Sequence, residues 1–303
     1  MSPAFDRTPF TGSMTSLSEV GRLTAVLVKH ARDAFISQDV IDAQWEWLNF
    51  TAPPDFSRAL AEYDKFLEIV ADSGAKIWTL PKNYRLNLDS IYTRDASIIC
   101  AGGTVLSSMG KKQRAFEPEV HERELRSRSW PIAGRITTPG LLEGGDLVWL
   151  DSRTVAVGQG RRTNAEGIQQ LKAMLRDSIE ELLVVPLPEW QAPPDVMHLM
   201  SLVSPVDTNL AVVYSRLMPD VFRRELLRRD YRLVEVPDEE FETLGTNVLA
   251  VAPRVCVMVK GNPQTRAALE RAGAAVFEYE GGEISLKGGG GPTCLTRPLA
   301  RSA

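Results

Sequence analysis

The chain has 303 residues, 44% of them hydrophobic and 24% charged, which is the balance of a folded globular protein and sets it apart from disordered and fibrous classes. No run approaches the roughly 20 apolar residues of a membrane span, or the core of a signal peptide. A formal net charge of −4 argues against nucleic acid as a partner and suits a small cationic ligand, while three cysteines without a CxxC spacing point to a reducing, cytoplasmic setting.

Residues 1 to about 16 are rich in Ser, Thr and Pro without sustained periodicity, so they read as a flexible arm ahead of one folded domain over 17–303. From Val20 onward the chain repeats strand, strand, amphipathic helix, strand at a period of roughly fifty residues, and five copies can be marked. The first has a strand over 23–28, a helix around 59–73 ended by Gly74 as a left-handed cap, and a closing strand over 76–80. The second opens on Asp89-Ser90-Ile91-Tyr92-Thr93-Arg94-Asp95, continues through strands at 98–100 and 105–106, and has a charged helix near 117–128 before a strand near 134–137. The third opens on Leu142-Glu143-Gly144-Gly145-Asp146, and its helix sets Ile168, Leu171 and Leu175 on one face. The fourth starts at Met197-His198-Leu199, with a strand over 210–214, a helix near 219–228 and a strand over 233–236. The fifth has strands over 247–251 and 255–259, a helix near 263–272 capped by Gly273, and a strand over 275–279. Beyond it a glycine run, Gly288-Gly289-Gly290-Gly291, leads through Pro292-Thr293 into Cys294.

Small α/β units of equal length, each with adjacent strands, fit a closed ring better than a doubly wound sheet. The expected fold is therefore a five-bladed α/β propeller of pseudo-fivefold symmetry, with a strand of each unit near the axis and a helix outside. Such a ring turns the polar residues at the unit starts towards one central cavity. Those residues are Asp89 and Asp95, Glu143 and Asp146, His198 and, at the end of the fifth unit, Cys294. A thiol, an imidazole and carboxylates together make a catalytic inventory, because a thiolate needs an activating environment and a leaving group needs a proton. Singly, each residue has a plainer reading: turn carboxylates for Asp95 and Glu143, a core histidine for His198, a linker thiol for Cys294. Cys100 and Cys256 lie in β-rich runs and read as core; for Trp45 and Trp47 core is the default, with a lid over the site left open as the alternative. His30, His121 and His198 have no metal-ligand spacing, so no metal is expected.

In Asp89–Asp95, Glu143-Gly144-Gly145-Asp146, Arg162-Thr163-Asn164-Ala165-Glu166-Gly167, His198-Leu199 and Gly290-Gly291-Pro292-Thr293-Cys294, the chain resembles the guanidine-modifying superfamily of five-bladed α/β propellers, the pentein fold. Within it the resemblance is greatest to the dimethylarginine dimethylaminohydrolases, with arginine deiminases as relatives, and it runs from about Leu23 to Leu299. The resemblance implies Cys294 as nucleophile, His198 as general acid and base, and Glu143 as the group holding His198 and facing the guanidinium. It implies Asp95, with Asp89 nearby, as carboxylate partners of a planar cation. Arg162 matches the family's clamp for the substrate carboxylate, and an exposed helix-start arginine is the plain alternative. Arg114 is a candidate second clamp against a solvated basic turn, Phe35 a candidate apolar residue over the substrate, and Gly288 a candidate backbone contact. The implied reaction is hydrolysis of an N-omega-methylated arginine to citrulline and a methylamine through a covalent thiouronium intermediate, without cofactor. The implied partner is a small guanidino molecule, not nucleic acid or membrane, and the oligomeric state stays open, a homodimer among the options.

Three departures qualify the substrate. Met200 stands where arginine deiminases carry an acid two positions after the histidine, which disfavours plain arginine without selecting a substituted one. The helical insert usual in deiminases has no room between the second and third units. Arg94 stands where close relatives often have an acid. Amidinotransferases tend to carry Asp at the Glu143 position, so hydrolysis is favoured over transfer; other guanidine hydrolysis and guanidine binding without turnover are the remaining alternatives.

Overall fold

The computed structural model describes residues 17–189 and 197–302. Residues 1–16, expected to be an arm, lie outside these.

The first blade holds β1 (Arg22–Val28) and, parallel to it, β2 (Lys76–Thr79). Between them lie α1 (Ala31–Ala34), α2 (Gln38–Leu48) and α3 (Phe56–Asp72). The start of α3 is fixed by Asp55, whose carboxylate accepts from the Arg58 amide at 2.8 Å, a cap of the usual acidic kind. Its buried stripe of Ala59, Tyr63, Phe66 and Val70 recurs every three to four residues and packs into one apolar cluster with Leu23, Val26 and Val28 of β1. Fully burying a side chain such as Phe66 contributes roughly 1.5–3 kcal/mol, so this stripe, more than helix propensity, holds α3 on the sheet. Gly74, at φ +86°, supplies the expected left-handed exit.

Three further blades follow one pattern, in which the middle strand pairs antiparallel with the first and parallel with the third, and a helix makes the crossover. They comprise β3 (Ser97–Cys100), β4 (Gly103–Leu106), α4 (Glu117–Ser127) and β5 (Ile132–Arg135), then β6 (Leu147–Trp149), β7 (Thr154–Gln159), α5 (Ala165–Leu175) and β8 (Glu181–Pro186). Next come β9 (Val203–Asp207), β10 (Leu210–Val213), α6 (Asp220–Arg228) and β11 (Arg232–Glu235). A short α7 (Asp238–Phe241) leads to the last blade, β12 (Leu249–Ala252), β13 (Val255–Val259), α8 (Pro263–Arg271) and β14 (Ala275–Tyr279). Finally β15 (Thr296–Ser302) returns to pair antiparallel with β1. Among the described residues this gives five three-stranded sheets, the five-bladed α/β propeller expected from the repeat.

Some expectations need correction. The first blade takes its innermost strand, β15, from the far end of the chain, so the ring is closed by a strand that the repeat pattern left unmarked. The strand expected near 134–137 lies at Ile132–Arg135, because its parallel register pairs Ile132 with Thr104. Trp47 is 57% exposed, on the solvent face of α2, whereas Trp45 packs against the core as expected. Cys100 and Cys256 are buried. No helix among the described residues is long and apolar enough to cross a membrane.

Candidate active site

The residues just ahead of the first strand of each blade meet in one place. Asp95 precedes β3, Glu143 and its short turn Gly144–Asp146 precede β6, His198 and the turn Leu199–Ser201 precede β9, Asn247 precedes β12, and Cys294 precedes β15. A cleft of about 480 Å³, ample for an amino-acid-sized ligand, is lined by Cys294, His198, Arg162, Asn247, Lys111, Met200 and Gly288, among others.

Glu143 is the anchor. Fully buried, it accepts on Oε1 from the amides of Gly110 (2.9 Å) and Lys111 (3.2 Å) and on Oε2 from His198 Nε2 (2.9 Å), while Arg162 Nη1 bridges both oxygens at 3.0 and 3.2 Å. Burial would raise its pKa, but Arg162 first and then His198 reverse this and hold the carboxylate well below its usual range. Asp146 works differently: its Oδ1 accepts from the Leu199 amide at 3.0 Å and so ties down the turn that carries His198. Burial pushes the Asp146 carboxyl up to about 6. Gly145 lies between the catalytic candidates, and a Cβ there would stand 2.7 Å from Asp95 Oδ1 and 2.9 Å from His198 Cγ, so only glycine allows this approach.

Asp95 is buried with one oxygen committed and one free. Its Oδ2 takes Arg114 Nη1 at 2.6 Å, and its Oδ1 has no hydrogen-bond partner among the described residues. Arg114 is neither a solvated turn residue nor a clamp reaching the ligand. It is 4% exposed, and its guanidinium is spent on Asp95, on both Glu117 oxygens and on the Tyr92 carbonyl. Asp89 is set back as well, its carboxylate 2.6 Å from Lys111 Nζ, and it is Lys111 that faces the cleft. Phe35 is a core residue, fully buried and edge-on to Phe50, because α1 turns it inward; the cleft wall comes from Leu48, Asn49 and Thr51 after α2. Arg162 lines the cleft but is held by Glu143, and Gly288 is in the wall.

Cys294 does not sit in a free tail. The turn before it is built in: Asn247 Oδ1 accepts from the Thr293 amide at 3.0 Å and Asn247 Nδ2 donates to Cys294 Sγ at 3.2 Å. A Cβ at Gly291 would lie 2.6 Å from that Oδ1, so the glycine run makes room for the amide. Upstream, the π-helical turn Gly282–Leu286 is fastened by Glu62 of α3, whose carboxylate accepts from the amides of Glu283 (2.8 Å) and Ile284 (3.2 Å). Burial, and next Asp95, push the Cys294 thiol up to about 11, against the Asn247 donor and Arg94. For His198 burial favours the neutral ring, but Asp95 and Asp146, with Glu143, outweigh it and push the imidazole up to about 9. Both shifts favour the protonated forms, the Cys294 thiol and the His198 imidazolium.

Asn247 and Lys111 were not singled out from the sequence. Asn247 had a usable signal, since it opens the fifth unit as the candidate acids and His198 open theirs. Asp95, Glu143 and His198 bring three possible metal-ligand atoms within 4.8 Å of one another. Two of these groups already face guanidinium cations, which is the donor set of an organic cation site rather than a metal centre.

The chain matches the family model described as N,N dimethylarginine dimethylhydrolase, eukaryotic, over residues 54–301. It is 28% identical over 241 residues to the Bacillus subtilis uncharacterized protein YkgA, covering 79% of each chain. It is also 28% identical over 244 residues to the N(G),N(G)-dimethylarginine dimethylaminohydrolase of Pseudomonas aeruginosa, covering 80% of this chain and 89% of that one. A structure of the Pseudomonas aeruginosa enzyme, a Cys-to-Ser mutant complexed with citrulline, superimposes with a TM-score of 0.74 at 22% identity, covering 93% of this chain and 100% of that one.

Proposed function

The chain belongs to the N,N-dimethylarginine dimethylhydrolase family, and from that premise we propose that it hydrolyses an N-omega-methylated arginine to citrulline and a methylamine, with Cys294 as nucleophile. One observation carries this reading: a thiol and an imidazole fixed by a buried carboxylate line one cleft from separate blades, and the buried Asp95, whose Oδ1 has no partner among the described residues, clusters within 4.8 Å of that imidazole and carboxylate. The free Oδ1 of Asp95 is an acceptor for a guanidinium N–H, and Arg162 and Lys111 at the cleft are cations suited to the carboxylate end of an amino acid.

The high thiol pKa sets the order of events. A guanidinium laid against Asp95 offsets the field that keeps Cys294 protonated, so substrate binding favours loss of the thiol proton to solvent. The thiolate then forms a bond from Sγ to the guanidinium carbon, and His198 gives its proton to the nitrogen of the departing amine as that C–N bond breaks. His198, now neutral, takes a proton from water as the water oxygen adds to the thiouronium carbon. Collapse breaks the C–S bond, the hydroxyl proton passes to solvent as the urea carbonyl forms, and the Cys294 thiolate is restored. Glu143 keeps Nε2 of His198 occupied throughout, which orients the ring.

Against transfer to an acceptor amine, Glu143 stands where amidinotransferases tend to carry Asp. The test is to incubate the protein with asymmetric dimethylarginine, monomethylarginine and arginine and to measure citrulline and free amine. Dimethylamine and citrulline in equal amounts, without an added acceptor, are the expected result. Ammonia from arginine as the main product, or product only with an acceptor amine, would overturn the assignment.

A further inference from the structure

Beyond the cleft the axis encloses a second, smaller space. Its walls come from first strands of the blades, with Ile99 of β3, Trp149 of β6, and Arg297 and Arg301 of β15; an adjoining pocket adds Ser204 of β9 and Ala250 of β12. Arg94 and Glu19 line both, and Arg94 also reaches the cleft.

Among the described residues, three guanidinium groups share this space with one carboxylate. Arg94, Arg297 and Arg301 are 1%, 4% and 2% exposed. Glu19 pairs with Arg94 alone, Oε2 to Nη2 at 2.6 Å. Arg297 Nη1 donates to the Ser97 carbonyl at 2.6 Å, and Arg301 Nη1 donates to the carbonyls of Gly21 and Ala250 at 2.6 and 2.8 Å. These bonds fix the planes of the side chains but bring no negative charge. Nε and Nη1 of Arg94, Nε of Arg297, and Nε and Nη2 of Arg301 have no hydrogen-bond partner among the described residues. Asp95, the other acid whose charge acts on Arg297, is already paired with Arg114.

A guanidinium does not shed its proton in a protein, so the surplus cannot be relieved by titration. A buried cation without a counter-charge is strongly unfavourable, and water, which can satisfy N–H donors, neutralises nothing. Within the larger pocket the centre of a water-sized sphere can range over about 20 Å³, which is enough for a small anion such as a halide. We propose that this axial space is a binding site for a halide, chloride in the first instance, held by Arg94, Arg297 and Arg301. The site stands independently of the hydrolysis proposed above.

Crystals of the full chain grown in sodium bromide, with diffraction recorded at the bromine edge, test this directly. The expected result is an anomalous peak in contact with at least two of the three guanidinium groups. In solution, replacing gluconate by bromide at constant ionic strength should raise Tm saturably, by about 2 °C near saturation. Arg301→Met should abolish that difference; if the variant does not fold, the wild-type peak and titration still decide. Water alone, or a protein carboxylate, in the place of the halide would overturn the proposal. So would a bromide peak without a saturable Tm response, which marks an adventitious ion only.

Discussion

The two ends of the central axis are built from the same groups in opposite surplus. At the cleft, Glu143 is saturated by four donor groups and Asp95 keeps one oxygen without a partner, so what is left unpaired there is a carboxylate acceptor. In the axial space, among the described residues, three guanidinium groups stand against one carboxylate, Glu19, which pairs with Arg94, so the excess is of donors and positive charge. Both ends are buried, and burial alone penalises either sign. What separates them is pairing, and each unpaired remainder describes a ligand: a cation at the cleft, an anion in the axial space.

The sharpest way to break this comparison is to remove chemistry from one end only. Cys294→Ser is expected to lower turnover of dimethylarginine by at least about 10⁴-fold, the scale on which loss of a covalent nucleophile acts, with an unchanged circular dichroism spectrum. Arg301→Met should leave turnover within about threefold, because Arg301 does not line the cleft. Equal losses in both would show that the ends do not act separately.

The next largest effect is on stability. Arg114 is the partner of two buried acids, and Arg114→Met leaves Asp95 and Glu117 uncompensated, at a cost of about 3–5 kcal/mol. Burial already pushes the Glu117 carboxyl up to about 7. Arg301→Met removes a charge from a surplus, so its urea midpoint should move much less than that of Arg114→Met. If the two midpoints fall alike, the distinction between paired and surplus arginines is lost.

Much of this arrangement was legible in the sequence because each blade begins with a polar interruption of apolar strands. The helix stripe of Ile168, Leu171 and Leu175 is buried as its spacing required, and the strand Ala275–Tyr279 lies where expected. The axial end was not legible. Residues Thr296–Ser302 contain two arginines and a proline, a pattern that assigns charge to solvent and argues against a strand. Yet Arg297 and Arg301 point inward from an edge strand, with Pro298 accommodated beside Val26. Arg94 was noted as a departure, but its partner Glu19 is 75 positions away in sequence and no local pattern joins them. Arg114 and Phe35 show the same limit at the cleft: their chain neighbourhood gave a place near the site, and only packing decided that both are buried behind its wall.

A smaller effect concerns protonation. Only the thiolate is alkylated readily, and burial with Asp95 holds the Cys294 thiol up to about 11. Reaction of the substrate-free protein with iodoacetamide should therefore be slow at pH 7 and rise about tenfold per pH unit, the slope easing towards about pH 9, where His198 has lost half its charge. A plateau below pH 8 would mean a resting thiolate and would remove the need for substrate to shift the thiol.

The finest probe is Asn247, which joins the sulfur to the turn that carries it. Its two bonds can be separated by substitution. Asn247→Ala removes both, the donor to Sγ and the acceptor for the Thr293 amide, whereas Asn247→Asp keeps the acceptor and replaces the donor by a negative charge. If the donor to sulfur is what matters, both variants alkylate more slowly at a given pH, by about tenfold for Ala, corresponding to one pKa unit, and by more for Asp. If Asn247 serves only to shape the turn, Asp restores the rate that Ala loses. The order Asn, Ala, Asp in falling thiol reactivity is the expected one, because a carboxylate beside the sulfur adds to the field of Asp95 that already opposes ionisation.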